Sequence, residues 1–401
     1  MEIQDYIENK LFHEIHVSEI REFKKCRRAH NLKYKEQWYP KITREPLDFG
    51  TAIHSAKEIY FDPKRWVYDR AVSIELAKAA FVEENEKARQ QTKDTLGSQY
   101  SDKEDANFDK RHSLGLGMLT HYFTVISPRI DANIYPTHVE QSFAVFIHDR
   151  DGNTLWCKCD KCWDKFRKSP LHVEWTDNNR PIWKGLPVAL EGKIDVIFRD
   201  VKTQKYWLLD WKTTARLSQN YNWLDLDEQL NNYVWAMREL GIPVAGFVYH
   251  EDWKAYPQEP TRLSRPYKGR SFSTDKTQPT TYELFLNCIM EEDRQAYDNG
   301  AYDEYLSWLK MEGPQFFNRE TIRKTNTELN IIGDQLFDVA REIISSPATY
   351  ISPTKFGCQY CDFINVCIGM QQDSDWKYTL NSFFEQKEPY YADKSYDDGV
   401  G

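Results

Sequence analysis

The sequence predicts an α/β or α+β protein, with a core of strands around one helix set inside a helical surround. Three observations carry this reading. Segments 140–148, 188–200, 206–214 and 244–250 have the apolar patterns of strands. Between the last two lies LDLDEQLNNYVWAMREL (224–240), with apolar residues at helical spacing at 226, 230, 234 and 237. Longer helical stretches occupy 69–127, 281–311 and 319–346, on either side of the strand-rich part.

The N-terminal elements are helical. VSEIREFKKCRRAHNLKY reads as a helix capped by Ser18, with Ile20 and Phe23 in its apolar stripe and Cys26 near its end. DFGTAIHSAKEIYF reads as a second helix that carries His54. Residues 92–113 are polar and predict an exposed connection. Asp151-Gly152 marks a turn after the first strand, and a turn around 200–205 joins the next two. Gly241 stops the central helix.

The composition supports a packed core, with 40% hydrophobic and 29% charged residues among 401. On a prior of about 150 residues per domain, this length allows two or three units, or one core with large insertions. No apolar run approaches the roughly 20 residues of a membrane helix. The opening MEIQDYIENKLFHEIH is acidic and mixed, unlike a secretory signal. The expectation is a cytoplasmic protein in a reducing interior, free of membrane. There the eight cysteines read as metal ligands or core thiols before disulfides.

Net charge is −9, which excludes a general coat of positive charge but not a local nucleic-acid groove. Residues 21–45 carry nine Lys/Arg against three Glu, and 253–276 carry six against two acids, whereas 372–401 hold seven acids and three lysines. Within the first stretch, Lys24, Lys25, Arg27 and Arg28 are the candidate DNA-backbone contacts. Most of the 13 Trp and 24 Tyr belong in a core, and some suit stacking on unpaired bases.

The strands carry the chemistry. Side chains alternate faces along a strand, so Glu191, Lys193 and Asp195 share one face of 188–200, opposite Leu190, Ile194 and Val196. On 206–214, Leu208, Asp210 and Lys212 oppose Trp207, Leu209 and Trp211. Adjacent strands can then present Asp195, Asp210 and Lys212 together. Two carboxylates suit Mg²⁺, a hard ion that prefers oxygen ligands, and the lysine can orient a water or balance phosphate charge. Taken alone, Asp-x-Lys is equally an ordinary pair of strand-edge charges.

Four motifs in order give this constellation its specificity: FGTAIH ending in His54, EGKIDVI giving Asp195, LLDWKTT giving Asp210 and Lys212, and EQLNNYVWA giving Gln229 and Tyr233. The chain thereby resembles the PD-(D/E)XK nuclease superfamily, specifically its RecB-like exonuclease branch. The resemblance implies a restriction-endonuclease-like core, a central mixed sheet flanked by helices. It further implies metal ligands His54, Asp195, Asp210 and the carbonyl of Trp211, with Gln229 and Tyr233 beside the metal and against nucleic acid. Gln229 and Tyr233 stand four apart and share a helix face; a core tyrosine beside a solvated glutamine fits the same spacing. A histidine among carboxylates tolerates Mn²⁺ as well as Mg²⁺. Glu191 and Lys193 are candidates to support these residues from behind.

Cys358, Cys361 and Cys367 form C-x2-C-x5-C, with Cys26 alone upstream. This arrangement is similar to the iron–sulfur staple of AddB-type and CRISPR-adaptation nucleases. It implies a [4Fe–4S] cluster joining the N- and C-terminal segments; a zinc site is the alternative for the triplet alone. Cys157, Cys159 and Cys162 read either as a zinc site with a fourth ligand such as His172, or as a turn with reduced thiols. Cys288 reads as a core thiol.

The expected organisation is N-terminal helices with the first cluster cysteine and His54 (1–60), a helical insertion (61–134), and a nuclease core (135–280) with a Cys-rich insertion at 149–187. C-terminal helices with the cysteine triplet (281–370) and an acidic tail (371–401) follow. The expected function is a metal-dependent DNA exonuclease on single strands or DNA ends, in recombination, repair or replication. The alternatives are a non-cleaving DNA-end-binding module and a CRISPR-adaptation end trimmer. With no G-x-x-x-x-G-K-[ST] loop, the chain shows no helicase motor of its own, so it works alone or with a helicase or recombination partner.

Overall fold

The structure is a computed structural model that describes residues 3–42, 45–66, 70–169 and 183–387. His172 and the end of the acidic tail, from 388 on, lie outside the described residues.

Eleven strands follow in chain order: β1 (His13–His16), β2 (Trp38–Pro40), β3 (Ile134–Phe146), β4 (Trp156–Cys157), β5 (Leu186–Asp200), β6 (Tyr206–Thr214), β7 (Val244–Trp253), β8 (Arg262–Tyr267), β9 (Arg270–Phe272), β10 (Phe317–Arg323) and β11 (Phe384–Gln386). The central sheet runs β1-β5-β6-β7-β10, with β3 and β4 also paired to β5. It is mixed: β1 is parallel to β5 and β6 to β7, while β3, β4 and β6 run antiparallel to β5, and β10 to β7.

Helices cover both faces. On one, Ile20 and Phe23 of the helix Val17–Lys25, Val234 of Glu228–Glu239 and Leu336 of Asn326–Ser345 pack on Leu190, Ile194 and Leu208. On the other, Ile53 and Phe61 of Glu45–Phe61, Phe81 of Arg70–Leu96 and Leu119 of Asp102–His121 pack on Trp207, Leu209 and Trp211. The expected alternation of β6 is thus met, since Leu208 and its two tryptophan neighbours bury on opposite sides. The fold is the mixed α/β sheet flanked by helices that the motifs imply. Among the described residues no helix is long and apolar enough to cross a membrane.

Several local expectations are corrected. The helix expected to start at Ser18 begins at Val17 after His16, so Ser18 lies inside it and is not its cap. That helix is not continuous either: Cys26 adopts extended angles (φ −160°, ψ 116°), and the chain resumes as a helix at Arg27. Residues 92–113 are mostly helical, because Phe108 and Arg111 give the polar-looking Asp102–His121 helix a buried side, and Ser101 with Glu104 forms its capping box. Leu226 falls before the central helix and is 84% exposed, since Asp227 is the N-cap and accepts the Leu230 amide. Residues 317–323 form edge strand β10 rather than helix; the helix starts at Asn326, behind a capping box of Thr325 and Glu328.

The N- and C-terminal segments pack against each other. β2 pairs with β11, and Ala29 and Leu32 share a core with Phe363, Val366 and Leu380.

Candidate active site

The site lies where β5 and β6 part. The final pair of their ladder is Val196↔Leu209. Asp195 and Asp210 are the next residues on the two strands. β1 occupies the same edge of β5 only at Val188–Glu191, which leaves the edge around Asp195 open. There Asp195 Oδ2 accepts the Trp211 amide at 3.0 Å, so a side chain takes the place of a ladder bond. Beyond the fork β6 stays in register with β7 as far as Thr214↔Trp253, so β5 can leave while β6 remains held. Trp211, 1% exposed, anchors this turn of the strand against Phe61 at 5.0 Å.

The opposite edge of β5 is irregular at the same place. Val139↔Val196 and Gln141↔Ile194 are in register, which sets Glu140 across from Asp195. Glu140 has φ 52°, a left-handed conformation uncommon for a residue with a side chain and typical of functional positions. The side-chain alternation slips here. Ile194 and Ile197 bury on one face, and Val196 and Phe198 on the other. The expectation that Val196 shares a face with Leu190 and Ile194 therefore fails, opposite the left-handed Glu140 of the paired strand.

His54 reaches the fork from the helix Glu45–Phe61. Its Nε2 donates to the Trp211 carbonyl at 3.0 Å, and its Nδ1 stands 3.6 Å from Asp195 Oδ2. A ring nitrogen bonded to a carbonyl must carry the proton. The second nitrogen then turns either a lone pair or a second proton toward a carboxylate. Burial opposes a charged imidazole, but the Asp195 charge outweighs it and raises the His54 pKa. One ligand atom each from His54, Glu140 and Asp195 lies within 4.8 Å of the others. One imidazole nitrogen and two carboxylates fit a Mg²⁺- or Mn²⁺-class ion.

Asp210 stands outside that 4.8 Å set. It is 4% exposed, and the Lys212 ammonium reaches its two oxygens at 2.7 and 2.8 Å. Burial raises its pKa to about 6, with Lys212 opposing and Asp195 adding to the rise. Burial also pushes Asp195 upward, but His54, Lys212 and the Trp211 amide outweigh it and hold that carboxyl at about 2. The environment thus separates the two acids, one firmly charged and one close to titration, as active sites do.

Gln229 and Tyr233 come from the helix Glu228–Glu239. Gln229 Nε2 donates to the Tyr233 hydroxyl at 3.4 Å, and its Oε1 accepts from Arg21 at 3.3 Å. The Tyr233 ring is 8% exposed and meets Phe143 edge-on at 5.4 Å. Both rings stand over Gly192, where a Cβ would come within 2.6 Å of Phe143 and 2.7 Å of Tyr233. That is why a glycine precedes Asp195 by three. The tyrosine is therefore a packed ring with its hydroxyl toward Gln229.

His54, Glu140, Asp195, Lys212, Gln229 and Tyr233 line a cleft of about 840 Å³, which Arg21, Lys33 and Glu58 also border, while Asp210 lies behind Lys212. Glu191 and Lys193 line it too. Burial pushes Glu191 up to about 8, with His16 at 3.6 Å, and Lys193 pairs with Glu140. Of the basic residues singled out from sequence, Lys24 pairs with Glu228 and Lys25 with Glu22, both still more than 40% exposed. Arg27 lies over the Phe23 ring and pairs with Glu342, and Arg28 donates to the Thr349 carbonyl at 3.0 Å, so this pair ties the N-terminal segment to the C-terminal one.

Cys26, Cys358, Cys361 and Cys367 border one cavity of about 380 Å³ between those two segments. The break in the helix at Cys26 is what frees that residue from a helical course. Cys288 lies half-buried beside the small core of the 282–312 helices.

Glu140 was not singled out from sequence, and Arg21 counted only as one of the nine cations of 21–45. Each becomes part of the site only through long-range pairing, Glu140 across β5 and Arg21 on Gln229 and Asp227. A search of curated proteins finds no match to this chain. The sequence model of the PD-(D/E)XK nuclease superfamily matches residues 14–368, a span that contains the fork, the cleft and the four terminal-segment cysteines. The chain belongs to the PD-(D/E)XK nuclease superfamily.

Proposed function

We propose that the protein is a metal-dependent DNA exonuclease acting on single strands or DNA ends, in recombination, repair or replication. The observation that carries this reading is the convergence of His54, Glu140 and Asp195 beside the Asp210–Lys212 pair, at the floor of an open cleft. His54, Asp195 and Glu140 would hold a divalent ion, Mg²⁺ or Mn²⁺, with Asp210 nearby. The Trp211 carbonyl, expected as a further ligand, instead accepts the His54 Nε2 proton and orients that ring. When bound, the ion supplies Lewis acidity toward a phosphoryl oxygen and lowers the pKa of water.

The chain's own groups do the rest. Lys212 holds Asp210 charged and faces the cleft, where its ammonium balances charge on a phosphate in the transition state. Gln229, fixed by Tyr233 and Arg21, offers an amide to a phosphate oxygen or to the attacking water. Arg21 and Lys33 border the path of the backbone, with Lys24 and Lys25 beyond them. End-labelled single strands, incubated with Mn²⁺ and compared with circular single strands, test the reading. Release of labelled nucleotides from linear strands alone supports an exonuclease. Binding of ends without cleavage would make the protein a DNA-end-binding module instead.

The four terminal-segment cysteines are proposed to hold a [4Fe–4S] cluster. The supporting observation is that residues 26 and 358–367 border one cavity with an apolar lining from Ala29, Ile351 and Ile364. Four thiolates ligate such a cluster, and its role is to fasten the ends of the chain. Anaerobically purified protein should be brown, and Cys26→Ala should lose the iron as completely as Cys361→Ala. Iron retained without Cys26 would remove that residue from the ligand set. The cytoplasmic setting and a helicase or recombination partner belong to the same proposal.

A further inference from the structure

The 149–187 insertion brings three thiols and an imidazole to one point, away from the cleft. Cys157 ends β4, and its pairing with Leu186 of β5 fixes its backbone. Cys159 is the N-cap of the helix Asp160–Arg167, and Cys162 lies in the first turn of that helix. From the other side comes His13, the first residue of β1. Its Nδ1 stands 3.3 Å from Cys162 Sγ, and Cys159 Sγ stands 3.4 Å from Cys162 Sγ. Ligand atoms of all four residues lie within 4.8 Å of one another.

We propose that Cys157, Cys159, Cys162 and His13 bind a structural zinc ion, which fastens the insertion to the first strand of the sheet. Tetrahedral zinc with bonds of about 2.3 Å to sulfur and about 2.0 Å to nitrogen sets neighbouring ligand atoms about 3.5 to 3.8 Å apart. The observed separations sit close to that. A disulfide needs its sulfurs at about 2.05 Å, far nearer than these, and would leave the third thiol and the imidazole converging on nothing. Soft thiolates also select zinc over the oxygen-seeking ions suited to the cleft. Four protein ligands close the coordination sphere, so the ion binds no substrate. Cys157 and Cys162 are 2% and 3% exposed within the main core, whereas Cys159 faces solvent.

The consequence reaches the active site through β1. This strand is four residues long and pairs only with β5 at Val188–Glu191. It leads directly into the helix Val17–Lys25, which carries Arg21 into the cleft. Lys165, on the helix that bears Cys162, binds the same strand through Glu14 at 2.8 Å and the residue just before it through the Phe12 carbonyl at 3.1 Å. The metal is thus a fixed point from which the cleft wall is hung. Sequence proximity pointed to His172 as the fourth ligand. Among the described residues, His13, 144 residues before Cys157, is the fourth group of the cluster, while His172 lies outside them.

Metal analysis of the full-length protein tests the proposal independently of any activity. Purified protein should contain about one zinc per chain, whatever its iron content. Cys159→Ser and His13→Ala should each surrender zinc to a chelator that the parent protein resists, while Cys361→Ser, in the other cysteine set, should keep it. Replacement of Cys159 at the surface spares the core. Should the variants fail to fold, Co²⁺ loaded into the parent protein gives the second reading: intense tetrahedral bands with thiolate charge transfer are expected. Parent protein without zinc, zinc held unchanged by both variants, zinc lost with Cys361→Ser, or weak octahedral Co²⁺ bands would each overturn the assignment.

Discussion

Asp195 Oδ2 accepts the backbone amide of Trp211 at 3.0 Å, one residue past the end of the β5–β6 ladder. The bond joins the two acidic strands at the point where they separate and holds the carboxylate in the fork. Asp195 thus has two roles: it closes the sheet, and it faces His54. Substitutions can separate them. Asp195→Asn keeps an acceptor for the amide and should melt near the parent protein. Asp195→Ala leaves a buried N–H unpaired and should cost about 1 to 3 kcal/mol. Both should lose cleavage by at least about a hundredfold, since neither supplies the charge. Thermal melts beside single-turnover assays check this, and equal stability of the two variants would count against the bond.

Metal binding should depend on pH with a defined sign. The Asp210 carboxyl is raised to about 6 in the metal-free protein. Below that pH it carries a proton, which a divalent ion must displace; above it the carboxylate is free. His54 must also give up its second proton to the ion. Burial lowers its pKa, but the Asp195 charge outweighs this and raises it. Mn²⁺ affinity should therefore fall as pH drops through the His54 pKa and further through about 6, approaching about tenfold per unit for each competing proton. Titration calorimetry at several pH values measures this. An Asp210→Asn variant should show weaker binding with a flatter profile.

Tyr233 should act through its hydroxyl and its packing. Its ring fills the space over Gly192 against Phe143. Tyr233→Phe should leave stability nearly unchanged and lose only the contact to Gln229. Tyr233→Ala should destabilise the fold by about 3 to 5 kcal/mol, as for other large aromatic truncations. Denaturant melts of the two variants decide between this and a ring that only meets nucleic acid.

The basic stretch should divide into two classes. Lys24 and Lys25 are surface cations on the helix that carries Arg21 into the cleft, and their replacement by Gln should lower the salt dependence of DNA binding, by up to about two released counterions. Arg27 is anchored over Phe23 and on Glu342. Arg27→Ala should reduce thermal stability with little change in salt slope. Binding isotherms at several salt concentrations, paired with melts, check both statements.

The sequence was informative where function is carried by local pattern. Asp195, Asp210 and Lys212 follow strand alternation, and Gln229 with Tyr233 follows helical spacing. His54 sits on a recognisable apolar helix. Residues whose role depends on distant pairing were not legible: Glu140 matters because β3 sets it across from Asp195, and His13 because β4 and its helix return to β1. Edge strand β10 was missed because FNRETIR is largely polar and only partly buried, so it lacks an apolar alternation. The slip at Asp195 was hidden for a related reason, since the left-handed Glu140 across from it lies on another strand.

The central claim is that the fork at Asp195 and Asp210 hydrolyses phosphodiester bonds with a divalent ion. Its most direct measurement is cleavage of end-labelled single-stranded DNA by the parent protein and by Lys212→Ala, with Mn²⁺ and with chelator. Lys212 is partly exposed at the cleft, so its loss spares the core. The account predicts labelled products from the parent protein with Mn²⁺ only, and none from Lys212→Ala, although it remains folded and still binds the strand. Cleavage by Lys212→Ala at the parent rate, or cleavage by the parent protein in chelator, would contradict it.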